Sequence, residues 1–164
     1  MLLLIASAAL VLAQDHGPDV CIAEEYDAFD FWVGEWAVTW ANTDGTPGEG
    51  HNSVRRLANG CSIIEIFDAA QTGAATSQSY FDTRVGLWHQ TFLDNEGNAI
   101  IVSGNPVEDG PAMILEMAHP AGGRPPARMV WEITGENTLE WTFQSRTADG
   151  GWLDSWEVRY TRQD

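Results

Sequence analysis

Glu65 is the side chain in this sequence best placed to do acid–base chemistry. In the extended segment 61–67 it shares alternate positions with Cys61, Ile63 and Phe67, so one face of a strand carries a carboxyl among apolar side chains. A carboxyl in such surroundings is pushed above its ordinary pKa unless an arginine pairs with it, and a carboxyl so shifted serves as a general acid or base. Gln90 lies between Trp88 and Phe92 with the same parity and would supply a hydrogen-bonding anchor on a second strand. Tyr80 and either Arg55 or Arg56 complete the polar set. The catalytic candidates are therefore Glu65 and Tyr80; the structural alternatives are a Glu65–arginine pair, or a Glu65 that faces water from an exposed sheet.

Apolar walls for such a site are plentiful, because the chain holds eight tryptophans in 164 residues. Trp40, Trp88, Trp131, Trp141, Met113 and Met117 are expected to line an adaptable cavity around Glu65, Tyr80 and Gln90. Trp32, Trp36 and Trp152 are expected to fill core. The four histidines show no zinc spacing, so no metal site is expected and no cofactor is predicted; haem on a single His89 or His119 is a minor alternative. There is no Gly-x-Ser-x-Gly, no phosphate loop and no Cys–His nucleophile arrangement.

The elements that must position these residues are short strands. Positions 27–36 place Phe29, Trp32, Val33 and Trp36 at helical spacing, with Asp27 as the N-cap and Gly34 as the stop. Beyond them the pattern alternates with period two through segments 36–40, 51–57, 61–67, 77–81, 87–93, 99–103, 113–118, 129–134, 139–145 and 152–162. Asn59-Gly60 is a tight-hairpin signal. No amphipathic helix is long enough for a parallel crossover, so the sheet is antiparallel. Closure disposes of its edges, which predicts an all-β, up-and-down barrel of about ten strands with a short N-terminal helix closing one end. A two-sheet sandwich is the alternative.

The apolar run 2–12 has the length of a signal-peptide core, with residues 1–13 removed by cleavage before Gln14, a flexible, polar lead-in expected over 14–26 and a single barrel domain over 27–164. That address makes the protein exported, periplasmic or extracellular, with no membrane insertion. In an oxidising space Cys21 and Cys61 form a disulfide by default; two separate buried thiols are the alternative. The net charge is −16, and all eight basic residues are arginine. This balance disfavours nucleic acid and anionic lipid as partners.

Residues 29–36, Phe-Asp-Phe-Trp-Val-Gly-Glu-Trp, resemble the opening of an uncharacterised family of exported bacterial proteins that begin FDFW-x-GEW. The similarity continues through Gly60-Cys61, Glu65, Tyr80, Trp88-x-Gln90, the Asp-Gly-Gly turn at 149–151 and Tyr160-x-Arg162. Gly34-Glu35-Trp36 also has the G-x-W form of the calycin superfamily, the lipocalins and fatty-acid-binding proteins. The resemblance implies a calycin-like barrel and, by analogy, a small apolar ligand. It further implies that Trp36 packs over the closed end beneath Arg162, a structural pair. Three functions follow as expectations: an exported small-molecule-binding barrel; an isomerase, cyclase or hydratase using Glu65 and Tyr80; or a structural module with a filled core. Neither the ligand nor the oligomeric state is readable from the sequence.

Overall fold

The computed structural model describes residues 21–57, 59–69, 73–117, 120, 123 and 125–164. The expected leader, the lead-in up to residue 20, and His119 lie outside the described residues. Ten strands run in chain order: β1 (Gly34–Ala41), β2 (Pro47–Leu57), β3 (Ser62–Ala69), β4 (Gly73–Asp82), β5 (Leu87–Leu93), β6 (Ala99–Asn105), β7 (Met113–Glu116), β8 (Ala127–Gly135), β9 (Thr138–Arg146) and β10 (Trp152–Arg162). Each pairs antiparallel with the next, and β1 pairs with β10, so the sheet closes as the alternation predicts. At the β2–β3 turn Asn59 and Gly60 take φ of 54° and 85°, the left-handed pair that an Asn-Gly hairpin uses.

Closure creates two unlike ends. The start of β1 and the end of β10 mark one, and it is plugged by the N-terminal segment. That segment is not the single helix expected from 27 to 34. It is a short helix α1 (Glu24–Asp27) followed by a 3-10 turn over Asp30–Trp32. Asp27 ends α1 rather than capping it, and Ala23 at the N-cap makes no side-chain hydrogen bond. The break lets Phe29 and Trp32, three apart and so on one side of a 3-10 turn, both drop into the barrel, where each is buried. Phe29 packs there against Trp88 and Trp131 at 5.3 and 5.1 Å between ring centres.

Three devices hold the plug. Arg56 donates to the carbonyls of Tyr26 and Gly60 and pairs with Asp30. A Cys21–Cys61 disulfide ties the residues before α1 to the β2–β3 turn. Arg162 lies 4.1 Å over the Trp36 ring and donates to the carbonyls of Val33 and Phe31 at 2.8 and 3.0 Å. Gly34 makes room for that guanidinium: it has φ of +148°, and a Cβ there would lie 2.2 Å from Arg162 Nη1. The disulfide is consistent with an oxidising compartment. Among the described residues no helix is long and apolar enough to cross a membrane.

Trp152 departs from its expected place in the core. The β9–β10 register shifts between Asp154 and Trp156, and this bulge reverses the parity of everything before it. Trp156, Val158 and Tyr160 face inward opposite Phe143, Trp141 and Leu139, whereas Trp152 lies on the outer face with the guanidinium groups of Arg128 and Arg146 at 4.2 and 4.9 Å from its ring.

Two outcomes are expected. Reducing the disulfide should lower unfolding stability by up to about 4 kcal/mol on the chain-entropy view of a 40-residue separation, measured by denaturant titration with and without reductant. Trp36→Ala should cost about 3–5 kcal/mol and Arg162→Ala less; the double variant should be non-additive, because the two side chains touch.

Candidate functional site

The inner face of β3 carries Ile63, Glu65 and Phe67 in turn, and β4 pairs Ser77 opposite Glu65. Ser77 and Ser79 therefore face inward, Gln90 lies opposite Ser79, and Gln90 Nε2 donates to Ser79 Oγ at 3.0 Å. On the other side of β3 the inward residues of β2 are Asn52 and Val54, both buried. Asn52 Nδ2 donates to Glu65 Oε1 at 2.8 Å and to the Tyr160 hydroxyl at 3.1 Å. Ser77 Oγ donates to Glu65 Oε2 at 2.6 Å.

Glu65 is thus a carboxyl sealed inside the barrel, 4% exposed, with amide and hydroxyl partners. Burial raises its pKa above the ordinary value, and the hydrogen bonds from Ser77 and Asn52 oppose that rise. Burial also holds the Tyr160 phenol well above its usual range, and the nearby Glu65 charge adds to the effect. Neither arginine considered for Glu65 reaches it. Arg55 turns outward on the opposite parity and pairs with Glu35 at 3.0 Å. Arg56 has the inward parity but sits at the plugged end, where the carbonyls of Tyr26 and Gly60 take its donors.

Above this network is a cavity lined by Trp32, Glu65, Phe67, Gln90, Phe92, Met129, Trp131, Trp141, Trp156, Val158 and Tyr160. It contains about 320 Å³ of space between atoms, mouth included, of which about 20 Å³ admits the centre of a water. That is room for about one water. Phe92 and Trp156 near the unplugged end are only partly buried. The Trp131 indole nitrogen and Asn52 Oδ1 are buried with no partner among the described residues.

Of the candidates read from the sequence, the cavity gathers Glu65, Gln90, Trp131 and Trp141. Trp40 stands at its rim, 5.8 Å from Phe67 and 6.1 Å from Trp156 between ring centres, in a space that only glycine at 48 leaves open: a Cβ there would lie 2.2 Å from the indole. Trp88 is buried, but in the plug, where its Nε1 donates to the Glu25 carbonyl at 3.2 Å. Met113 is fully buried core, paired in register with Trp131. Met117 lies past the end of β7, half-buried against the core, and neither methionine lines the cavity. Tyr80 is not a partner of Glu65. It alternates with the inward Ser79, is 43% exposed, and stacks on His89 at 5.3 Å outside the barrel. His89 is therefore no haem ligand for the interior, because it alternates with the inward Trp88 and Gln90. Among the described residues no three His, Cys, Asp or Glu side chains cluster to hold a metal. Sequence reasoning missed Asn52, Ser77 and Tyr160 as Glu65's surroundings. The alternation of β2, Asn52 with Val54, was the available signal.

No family model and no curated protein matches the chain. Similar solved structures include a de novo designed fluorescence-activating β-barrel, 13% identical, covering 84% of this chain and 98% of its own, with a TM-score of 0.44. A redesigned β-barrel is 13% identical, covers 84% and 96%, and scores 0.37. The structure of EF1p2_mFAP2b bound to DFHBI is 12% identical, covers 85% and 99%, and scores 0.43.

The raised Glu65 pKa has a direct consequence for stability. Below about pH 4.5, the ordinary glutamate value, the residue is protonated whether the chain is folded or not. Above it the unfolded chain releases the proton and the folded chain keeps it, so stability falls with rising pH until the folded pKa is passed. Relative to wild type, Glu65→Gln should gain about 1.4 kcal/mol per pH unit across that window and then level off. Denaturant titrations of both proteins from pH 4 to 8 test this; parallel pH profiles would refute it.

Proposed function

We propose that this is an exported, calycin-like barrel that binds a small, mostly apolar molecule in its tryptophan-lined interior. The observation that carries the reading is the combination of aromatic walls with a few inward polar groups, Glu65, Gln90 and Tyr160, at the base of a cavity near the unplugged end. Apolar walls supply affinity and sparse polar groups fix orientation. A protein needing only a filled core gains nothing from a glutamate there, since an aliphatic side chain would pack without the desolvation cost. The exported location is supported by the disulfide and by the apolar run 2–12.

With room for about one water at rest, the cavity must widen to take a ligand, and the partly buried rings of Phe92 and Trp156 are the movable wall. No described arginine lines the interior, so a fatty-acid carboxylate has no counter-charge there. The ligand is accordingly not an anion. One observation favours a second reading, an enzyme on the same barrel: Glu65 is a buried acid with no basic partner, the condition under which a carboxyl donates a proton near neutral pH. The geometry gives it no partner in Tyr80.

The test is titration with an uncharged fluorescent probe, N-phenyl-1-naphthylamine. Binding should raise probe emission and change Trp emission together, and Gln90→Leu should alter the affinity at least severalfold while near-ultraviolet circular dichroism stays native. Native mass spectrometry of protein from its own host should show a retained small-molecule mass. A wild-type protein that neither carries a ligand nor responds to the probe would establish the filled-core alternative.

A further inference from the structure

The interior is built as a site for negative charge with the positive charge left out. Both oxygens of Glu65 accept hydrogen bonds, one from the Asn52 amide and one from the Ser77 hydroxyl. Donors converging on both oxygens favour the ionised carboxylate, while burial opposes it. Nothing cationic stands against it. Facing Glu65 are Asn52 and Val54 from β2, Ser77 from β4, and Tyr160 from β10. Among the described residues Tyr160 is the only other titratable group there, and it is no cation at any pH. Asn52 Oδ1, buried and without a partner, adds one more acceptor beside the carboxyl.

The walls add aromatic ring faces, together with the indole N–H of Trp131, a buried donor with no partner among the described residues. Trp32 and Trp131 meet at 66°, Trp131 and Trp141 at 73°, Trp141 and Trp156 at 84°, and Trp156 and Phe67 at 77°. Rings set nearly perpendicular to one another enclose a space with faces as well as edges, and the face of an aromatic ring carries negative potential. An anion would meet repulsion from Glu65. A neutral hydrocarbon would gain the contact area and leave the carboxyl uncompensated. An organic cation would gain the area, the ring faces and the carboxylate together.

Resting on the reading of this cavity as a ligand site, we propose that the ligand is a small organic cation of the alkylated-amine class, held by the Glu65 carboxylate and the ring faces of Trp131, Trp141 and Trp156. Binding then requires ionised Glu65, so the complex forms with release of a proton wherever the free protein holds one. The chain's net charge of −16, nearly all of it outside the barrel, draws the same class of molecule toward the mouth.

Two probes of one shape separate this proposal from the reading it rests on. Benzyltrimethylammonium carries a permanent charge that cannot titrate, and neopentylbenzene is its uncharged isostere. By calorimetry and Trp emission the cation should bind at least tenfold more tightly at pH 8. Below the Glu65 pKa its affinity should fall about tenfold per pH unit, while that of the hydrocarbon stays level or rises. Glu65→Gln should bring the two probes to within about threefold of each other and abolish the pH dependence. The wild-type pH profile alone decides the matter if that variant folds poorly. If the hydrocarbon binds as tightly as the cation at every pH, the cation assignment is overturned and the apolar cavity stands. If neither probe binds, both are overturned.

Discussion

Neighbouring strands of this barrel find each other through short turns, but the pairing of β1 with β10 joins the two ends of the sheet. Asn52 and Tyr160, whose hydrogen bond lies one strand from this seam, are 108 positions apart. Closing so long a loop has an entropic cost that short hairpins escape, and the contacts across the seam must offset it. Those contacts are the Arg162 guanidinium over Trp36, its two hydrogen bonds to the carbonyls before β1, and the edge-to-face packing of Trp36 on Tyr160 at 5.9 Å. Without the seam there is no interior, only a sheet with Glu65 facing water. With it, Tyr160 is delivered to Asn52 and Asn52 to Glu65. The closed end and the polar network are thus one mechanical unit.

The treatment of carboxyls inside and outside this barrel differs. On the surface, Asp44, Asp82, Asp94, Asp149 and Glu35 all lie below their ordinary pKa because hydroxyl, side-chain amide, arginine or backbone donors meet them in water. These arrangements order turns and strand edges at little cost. Glu65 also has two donors, yet burial outweighs them and its pKa moves the other way. A fold selected for packing alone would place an apolar residue here. An acid at this position carries a desolvation cost that its two donors only partly offset.

Much of this was legible in the residues. Ten alternating segments, the Asn-Gly turn and the absence of any long helix led to the closed meander. Parity alone placed Glu65 and Gln90 inside. Parity is a local rule, however, and it fails at a bulge. The extra residue between Asp154 and Trp156 sent Trp152 outside while Trp156 stayed within, and nothing in the composition of 152–156 marks it. Parity also says nothing about which end of the barrel a side chain occupies. Trp88 and Arg56 both have the inward parity and belong to the plug, because that end is where α1 and the 3-10 turn must be anchored. Tyr80 stands outside for a plainer reason: it alternates with the inward Ser79 on β4. Asn52 was missed because its partner lies on a strand that only closure brings near.

The distribution of arginine gives the interior its sign. Arg55, Arg84 and Arg159 pair with Glu35, Asp82 and Glu140 on the outer surface. Arg128 and Arg146 cover Trp152, Arg162 covers Trp36, and Arg56 binds the plug. Every described arginine except those at the plugged end therefore lies outside the barrel wall, and the described cavity is lined by no cation. A single carboxyl is thus the one charged group lining the described cavity, in a medium of low dielectric where its charge is weakly screened. The outer field of an acidic protein fades within about a Debye length, roughly 8 Å at physiological salt, so it acts on molecules at the mouth; the carboxyl acts on what has passed it. Both charges have the same sign.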